Sequence, residues 1–193
     1  MSRDRRQPDH FTRRAKREGR PARSVYKLEE IDQRWHLLGK GRRVLDLGAS
    51  PGSWMQYAAE HVGPTGRVIG YDLKPLEVAL PAHAVFEIAD VFALDAAALG
   101  GPFDVVLSDM APSTMGDHTT DALRSAALAE RALDVADAVL VAGGNVVVKV
   151  LEGGDVPAIA VRIRQSYSKL ERLRPEATRK SSTEIFLVGL GKK

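Results

Sequence analysis

Cysteine, long apolar runs and grouped histidines are all missing from this sequence. None of the 193 residues is Cys, which excludes disulfides, thiolate metal sites and thiol nucleophiles and fits a reducing compartment. No apolar run approaches the roughly 20 residues that cross a membrane, and the N-terminus lacks the apolar core of a signal peptide. The five His residues are scattered, so they give no metal-ligand spacing. We therefore expect a soluble cytoplasmic protein with no membrane anchor and no bound metal.

Positive charge is concentrated at the N-terminus. The formal net charge is only +3, but residues 1–23 carry nine Lys or Arg against three acidic residues. Such a basic segment on a mildly acidic body suits binding to a nucleic-acid backbone, because each cation that meets a phosphate releases counterions. The alternative is a solvated tail that only keeps the protein in solution; the charge pattern favours nucleic-acid binding. We predict a flexible basic arm over residues 1–22 and a single domain of ordinary length over residues 23–193.

The rest of the chain alternates between predicted strands and predicted helices. Several strands are continuous runs rich in Val, as in Val146-Val147-Val148, which is typical of strands covered on both faces. The alternation predicts an α/β fold with a doubly wound, mostly parallel sheet of seven strands and helices on both faces. Strands are predicted over Arg43–Leu47, Arg67–Asp72, Val85–Ala89, Asp104–Ser108, Asn145–Leu151, Lys169–Arg174 and Glu184–Gly189. Helices are predicted over Ser24–Leu38, Ser53–His61, Thr120–Val141 and Val156–Tyr167, with a shorter one at Asp95–Leu99.

The segment Val44–Trp54 combines a strand, an acidic residue, a glycine-containing loop and a helix start. This order places backbone amides and one carboxylate at the edge of a sheet, where a nucleotide-like ligand can bind. Gly48 and Gly52 are four residues apart, so the G-x-G-x-x-G spacing of dinucleotide sites is missing, and Pro51 suits a turn better than a pyrophosphate cradle. Asp46 before the first glycine suits a ligand with a cationic or hydroxyl-rich end, such as S-adenosylmethionine.

Acidic residues end four successive predicted strands. Ligands of open α/β sheets bind at the carboxyl ends of the strands, and four carboxylates lie there: Asp46, Asp72, Asp90 and Asp109. A single Asp at a strand end is more often a cap or a loop carboxylate, but four in succession favour a ligand site. Asp72 is placed to bind ribose hydroxyls, and Asp90 to accept a hydrogen bond from an adenine amino group.

Lys149 stands out because it lies inside the apolar run Val146–Leu151. Burial of an unpaired ammonium is costly, so such a side chain either reaches solvent or belongs to a functional site. The alternative is an edge strand with Lys149 facing water. The continuous apolar run favours the functional site.

Five short segments carry a resemblance to a known family. They are Ser24-Val25-Tyr26-Lys27-Leu28, Asp46-Leu47-Gly48-Ala49-Ser50-Pro51-Gly52-Ser53-Trp54, Ser108-Asp109-Met110-Ala111-Pro112, Val147-Val148-Lys149-Val150 and Ser182-Thr183-Glu184. From Arg23 to Gly191 the chain resembles the FtsJ/RrmJ-type ribosomal RNA 2′-O-ribose methyltransferases. Ser53 replaces a Gly that is common in the family and Ser113 replaces a common Asn; Ser113 bears on substrate preference, not on the reaction.

This resemblance implies a Rossmann-like class I methyltransferase domain that uses S-adenosylmethionine. The family's Lys-Asp-Lys-Glu catalytic tetrad falls on Lys27, Asp109, Lys149 and Glu184. Cofactor contacts are implied for Gly52, Trp54, Asp72, Asp90 and Asp109. The predicted cofactor site also includes the strand-end residues Asp46 and Gly48 and the adjacent Pro51, Leu73 and Val91.

The implied reaction is 2′-O-methylation of RNA, with a uridine in large-subunit ribosomal RNA as the target and therefore a role in ribosome biogenesis. Lys149 would take or steer the 2′-hydroxyl proton, Asp109 would hold Lys149, and Glu184 would orient Lys27 or the ribose. The protein is expected to be a monomer. RNA phosphates would contact the basic arm and six cations nearer the C-terminus: Arg162, Arg164, Arg172, Arg174, Arg179 and Lys180.

Two other functions stay open at this point. A transfer-RNA 2′-O-methyltransferase would share the tetrad, although the short chain leaves no room for an extra RNA-binding domain and so favours a pre-assembled ribosomal substrate. A catalytically idle RNA-binding or ribosome-assembly factor would have no need to keep Lys149. The missing glycine spacing disfavours an NAD-dependent oxidoreductase, and fold alone would not separate these classes.

Overall fold

Strand pairing in the computed structural model produces one mixed sheet. The structure describes residues 9–113, 116–153 and 155–193. The strands in these residues are β1 (Arg43–Leu47), β2 (Arg67–Asp72), β3 (Ala84–Ile88), β4 (Phe103–Ser108), β5 (Leu140–Leu151), β6 (Tyr167–Leu173) and β7 (Glu184–Lys192). They pair in the order β3-β2-β1-β4-β5-β7-β6. β1 to β5 are mutually parallel, and β7 runs antiparallel to both of its neighbours.

Helices cover both faces of the sheet and create two hydrophobic cores. The helices are α1 (His10–Arg17), α2 (Val25–Trp35), α3 (Ser53–Val62), α4 (His118–Val139) and α5 (Val156–Ser166). α2 and α3 pack on one face, and α4 and α5 pack on the other. Successive residues of β5 enter opposite cores: Val147 lies on the α2–α3 side, and Val146 and Val148 lie on the α4–α5 side. The predicted doubly wound, mostly parallel α/β fold is confirmed.

No helix within the described ranges is both long and apolar enough to cross a membrane.

The helix predicted over Ser24–Leu38 is shorter in the structure. It ends as α2 at Trp35, because His36 adopts a left-handed conformation with φ 50°. The chain then turns back, and the backbone N–H of Leu38 donates to the Asp32 carboxylate at 2.7 Å. The helix also begins one residue later than predicted, at Val25, and the side chain of the preceding Ser24 makes no capping hydrogen bond.

Most other predicted boundaries differ from the observed ones by about one to three residues, and two elements differ in a more informative way. β5 begins at Leu140 instead of Asn145. No loop separates β5 from the end of α4 at Val139, and Leu140 already pairs with Phe103 of β4. The β4–β5 register then shifts between this pair and the next, Val105 with Asn145. The short helix predicted at Asp95–Leu99 is a 3-10 turn over Ala96–Ala98. Both differences lie away from the carboxyl edge of the sheet.

The segment predicted as a basic arm contains α1, which the sequence analysis does not identify. Only Phe11 and Ala15 in this helix are apolar, so the apolar pattern is too short to indicate a helix. Ala15 is buried, the Arg14 guanidinium lies 4.2 Å from the centre of the Tyr26 ring, and the Tyr26 hydroxyl donates to Glu18 at 2.8 Å. Residues 1–8 lie outside the described residues, and the division between residues 22 and 23 stays a prediction.

Substitution of Gly189 tests how tightly β7 is packed into the sheet. A Cβ at Gly189 would lie 2.9 Å from both Tyr167 Cγ and Val146 Cγ1 and 3.0 Å from Ile163 Cγ2. Gly189→Ala should therefore lower the free energy of unfolding by about 1–3 kcal/mol in urea denaturation. Gly39→Ala is the control, because its Cβ would have its nearest neighbour at 3.7 Å, and its effect should stay within about 0.5 kcal/mol. Equal stability of the two variants would contradict this packing.

Candidate active site

A cleft opens at the carboxyl edge of the sheet between β1 and β4. The chain adds β2 and β3 on one side of β1, and then crosses to add β4 and β5 on the other side, so the direction in which strands are added reverses here. Such a reversal leaves the gap in which ligands of open α/β sheets bind. The cleft has a volume of about 600 Å³ and is lined by the loops that follow β1 to β4, together with Leu128 of α4. Seven predicted cofactor residues line it: Gly48, Pro51, Asp72, Leu73, Asp90, Val91 and Asp109.

The loop after β1 can approach the loop after β4 because residue 48 is a glycine. Gly48 has a φ of +85°, and a Cβ there would lie 2.7 Å from Met110 Cγ and 2.9 Å from its backbone nitrogen. Hydrogen bonds fix the same loop to the end of β2: Gly48 N–H donates to Tyr71 O at 2.9 Å, and Ser50 N–H donates to the Asp72 carboxylate at 3.0 Å. Any other residue at position 48 would push the two loops apart.

Backbone amides hold two of the carboxylates at the cleft wall. Asp72 accepts the Lys74 N–H at 2.9 Å, and Asp90 accepts the Phe92 N–H at 3.0 Å. Beside these acids, the side chains of Leu73 and Phe92 are 68% and 56% exposed. The wall therefore combines fixed hydrogen-bond acceptors with apolar surface, which is the composition of a small-molecule site.

Asp46 is fully buried near the end of β1. Neither of its carboxylate oxygens has a hydrogen-bond partner in the part of the chain that the structure describes. Burial raises the pKa of Asp46 well above its usual value, and the negative charges of Asp109 and Asp72 raise it further. An unpartnered carboxyl group close to two other carboxylates favours the binding of a cationic group.

Lys149 and Asp109 form a buried ion pair at the edge of the cleft. Lys149 Nζ donates to the Asp109 carbonyl oxygen at 2.6 Å and to Asp109 Oδ1 at 2.8 Å. The pairing of Ser108 with Val148 in the parallel β4–β5 register brings the two residues side by side. The Lys149 side chain is only 7% exposed. A buried ammonium needs a partner of opposite charge, and Asp109 supplies it.

A second ion pair joins Lys27 of α2 to Glu184, the first residue of β7. Phe186, two residues further along β7, is the cross-strand partner of Lys149. Residues two apart on a strand and directly opposed residues share a face of the sheet, so Lys149 and Glu184 lie on the same face. Lys27 Nζ lies 5.8 Å from the Phe186 ring centre. The four predicted catalytic residues are thus brought together as two ion pairs next to Phe186.

Gly52 and Trp54, like Asp46, do not line the cleft. Gly52 precedes α3 with a φ of +111°. Trp54 is buried; its indole N–H donates to Ser24 O at 2.9 Å and its ring lies 5.7 Å from the Phe186 ring. Trp54 therefore connects α3 to the start of α2 and to β7, whereas Gly52 forms the turn from which α3 begins.

The two departures from the family pattern have different surroundings. Ser53 is buried, and its hydroxyl accepts the Ala22 N–H at 2.9 Å, so it connects α3 to the segment before α2. Ser113 lines the cleft. Nine further residues line the cleft without having been predicted: Ser50, Tyr71, Lys74, Glu77, Ala89, Phe92, Met110, Ala111 and Leu128. All but Leu128 lie in or near the predicted motifs. Leu128 lies in the middle of α4 and gives no sequence signal.

Comparison with known proteins identifies the family of this chain. A family model for FtsJ-like methyltransferases matches residues 21–192. A protein from Desulforapulum autotrophicum named ribosomal RNA large subunit methyltransferase E is 46% identical over 188 residues, which cover 96% of this chain and 93% of that protein. One of the same name from Bdellovibrio bacteriovorus is 48% identical over 191 residues, covering 96% and 97%. A ribosomal RNA methyltransferase structure from Plasmodium falciparum shares the fold, with a TM-score of 0.75 at 23% identity, covering 89% of this chain and 97% of that chain.

The resemblance carried by the five short segments is confirmed by these similarities. The matched residues extend from before α2 to the end of β7, so they include both ion pairs and every loop of the cleft. Identities of 46–48% over nearly the whole chain leave no large segment outside the comparison. The chain belongs to the FtsJ-like methyltransferase family.

Proposed function

We propose that this protein methylates a ribose 2′ oxygen of RNA with S-adenosylmethionine as the methyl donor, and that its target is a uridine in the RNA of the large ribosomal subunit. The observation that carries the proposal is the pair of buried lysines beside the cleft, Lys149 held by Asp109 and Lys27 held by Glu184. Similarity to proteins named as large-subunit ribosomal RNA methyltransferases supports the choice of RNA.

The residues of the cleft fit this cofactor. Asp46 does not itself line the cleft, but its unpartnered buried carboxyl group interacts with Asp72 and Asp109 of the lining, and this acidic group suits a ligand that carries a sulfonium and an ammonium. Asp72 and Asp90 offer acceptors for ribose hydroxyls and an adenine amino group, and Leu73 and Val91 offer apolar surface to the adenine ring. When bound, S-adenosylmethionine supplies a methyl group on an already activated sulfonium. The protein then has to align the acceptor oxygen and manage its proton.

Asp109 holds Lys149 in a position that serves both protonation states of the lysine. A neutral amine has two N–H bonds and a lone pair, and the two contacts with Asp109 require only the two N–H bonds. The lone pair then stays available for the proton of the 2′-hydroxyl. After that transfer the ammonium keeps both contacts and has a third N–H for the ribose oxygen. Lys149 can therefore take the proton or steer the hydroxyl from the same position.

Lys27 supplies the second cation on this face of the sheet. Its pairing with Glu184 connects α2 to β7, which fixes the ammonium without using all three of its N–H donors. We assign Lys27 to binding the ribose or the adjacent phosphate of the target nucleotide, and Glu184 to orienting Lys27.

The six C-terminal cations predicted to contact RNA are divided between two edges of the sheet. Four of them lie at the end of β6 or in the segment before β7, at the edge that carries the cleft: Arg172, Arg174, Arg179 and Lys180. Arg164 lies near the end of α5, at the opposite edge. Arg162 joins α5 to α4 through three carboxylates at 2.5, 2.8 and 2.8 Å: Glu130, Asp134 and Asp137. We therefore assign RNA binding to the four cations at the cleft edge.

The N-terminal segment extends this RNA surface in our proposal. Three cations of α1 are exposed: Arg13, Lys16 and Arg17. Residues 1–22 would act as a basic RNA-binding extension of a methyltransferase domain over residues 23–193. The protein would act as a monomer in the cytoplasm, where large ribosomal subunits are assembled.

Replacement of Lys149 by Met should strongly slow methyl transfer without abolishing cofactor binding. Met keeps most of the aliphatic volume but removes the amine, and loss of a group that manages the proton lowers turnover by about 10²–10⁴-fold. The measurement is transfer of labelled methyl from S-adenosylmethionine to large ribosomal subunits that lack the modification. Lys169→Met is the control, because Lys169 is exposed on β6 and pairs only with neighbouring Glu171 among the described residues, and it should keep full turnover.

The same assay distinguishes the other candidate functions. Label on unmodified transfer RNA instead of ribosomal RNA would keep the reaction and change the target. No label on either RNA, with cofactor binding intact, would favour a catalytically idle assembly factor. Normal turnover of folded Lys149→Met would contradict the role assigned to Lys149.

Asp46→Asn should raise stability at alkaline pH. Because the pKa of Asp46 is raised in the folded protein, its contribution to stability is complete at low pH and is lost as the pH rises through the folded-state pKa. The Asn variant should be more stable than the native protein by about 1–3 kcal/mol at pH 8, and the gain should shrink toward pH 5. Urea denaturation at both pH values measures it, with exposed Glu87→Gln as the control. A gain that does not depend on pH would contradict this explanation.

The cations at the cleft edge should determine the salt dependence of RNA binding. Arg179 and Lys180 are exposed, and their joint replacement by Ala should lower the slope of log affinity against log salt by about 2. Arg67→Ala with Arg164→Ala removes the same charge at the opposite edge and should leave the slope unchanged. Equal effects of the two double variants on the slope would mean that RNA binding depends only on the net charge of the protein, and would contradict an RNA surface at the cleft edge.

A further inference from the structure

One wall of the cleft is a short 3-10 turn, Val91–Ala93, that has little internal support. Val91 and Phe92 line the cleft, and the Phe92 side chain is 56% exposed. Of the bonds that close the turn, Ala93 N–H to Asp90 O is 2.9 Å long, but Leu94 N–H to Val91 O is 3.4 Å. A turn of this length with one weak closing bond does not fix its own position.

Arg131 of α4 forms hydrogen bonds with the backbone at both ends of this turn. Its Nε donates to Val91 O at 3.0 Å and its Nη2 donates to Leu94 O at 2.6 Å. Arg131 lies three residues after Leu128, so the two side chains share a face of α4, and Leu128 lines the cleft. The planar guanidinium presents its donors in a fixed fork, so the two bonds set both the distance and the tilt of the turn relative to α4.

The start of the same segment is fixed to the sheet. Ala89 N–H donates to Asp72 O at 3.0 Å, at the end of β2, and Asp90 accepts the Phe92 N–H. The segment from Ala89 to Leu94 is therefore bound to the sheet at one end and to Arg131 at the other. Between these two attachments lie Asp90 and Val91, which our proposed function assigns to the adenine end of the cofactor.

We propose that Arg131 is a positioning residue for the nucleoside part of the cofactor. It would set the cleft wall through Val91 and Leu94 without touching the ligand, and so determine cofactor affinity. The identity of the ligand in this inference rests on the proposed function. The attachment of the turn to α4 rests only on the two hydrogen bonds.

Calorimetric titration with S-adenosylhomocysteine and with adenosine tests the proposal. Arg131→Met removes both bonds and should raise the dissociation constant of both ligands by the same factor, at least about tenfold, which corresponds to the loss of about 1.4 kcal/mol. Arg131→Lys can donate to one carbonyl at a time and should give an intermediate value. Arg124→Met changes an exposed arginine on the same helix and should bind like the native protein.

Two further readouts separate positioning from general stabilisation. Turnover at saturating cofactor should stay within about twofold of the native value in Arg131→Met, and hydrogen exchange of the Ala93 and Leu94 amides should be faster in the ligand-free variant. Unchanged affinity of Arg131→Met, where the native protein binds both ligands, would overturn the positioning role alone. A lower melting temperature and turnover with unchanged dissociation constants would overturn it too. A native protein that binds neither ligand would instead overturn the proposed function.

Discussion

A buried ammonium must be paired, and this requirement decides where Lys149 can lie. Its two hydrogen bonds end on one residue, Asp109, through the backbone carbonyl and the carboxylate. Asp109 follows the last residue of β4, so the lysine is satisfied only if β4 and β5 are adjacent, parallel and in the observed register. A shift of one residue between these strands would turn the ammonium toward the opposite hydrophobic core. The geometry of the site and the register of the sheet are therefore fixed by the same contact.

Acidic and basic side chains occupy different parts of the carboxyl edge of the sheet. Asp46, Asp72 and Asp90 lie at the ends of β1 to β3, on the side of the cleft that suits a cationic nucleoside ligand. Lys149 and Lys27 lie toward β5 and β7, and four further cations lie at the end of β6 and in the segment before β7; this positive region suits a polyanion. Because Asp109 lies between these regions and bonds to Lys149, it is the residue at which the two ligands would meet. The reversal of strand order and the insertion of β7 together create this division.

The sequence predicted most of the sheet because several of its strands are continuous apolar runs. It predicted the four ion-paired residues through the resemblance to the family, whose local motifs are specific. It did not predict α1, which is held by the Arg14 contact with Tyr26 of α2 and by burial of Ala15, and not by an apolar pattern of its own. No local pattern encodes the early start of β5 at Leu140, which depends on pairing with β4, or the left-handed conformation of His36, which depends on the turn after α2. Leu128 and Arg131 have no sequence signal for a related reason: both lie in the middle of a helix, and only tertiary packing brings Leu128 to the cleft and Arg131 to the turn that forms its wall.

The position of β7 has a consequence for the order in which the protein becomes functional during synthesis. β7 is the last strand along the described residues, yet it lies between β5 and β6 and carries Glu184. β1 to β5 can pair as they emerge from the ribosome, and the loops that line the cleft all belong to them or to α4. Until β7 arrives, however, β5 is an exposed apolar edge, and Lys27 has no carboxylate from β7 to hold it. A nascent chain would therefore form the cleft before the Lys27–Glu184 ion pair, and it would be most prone to aggregate in the interval between them.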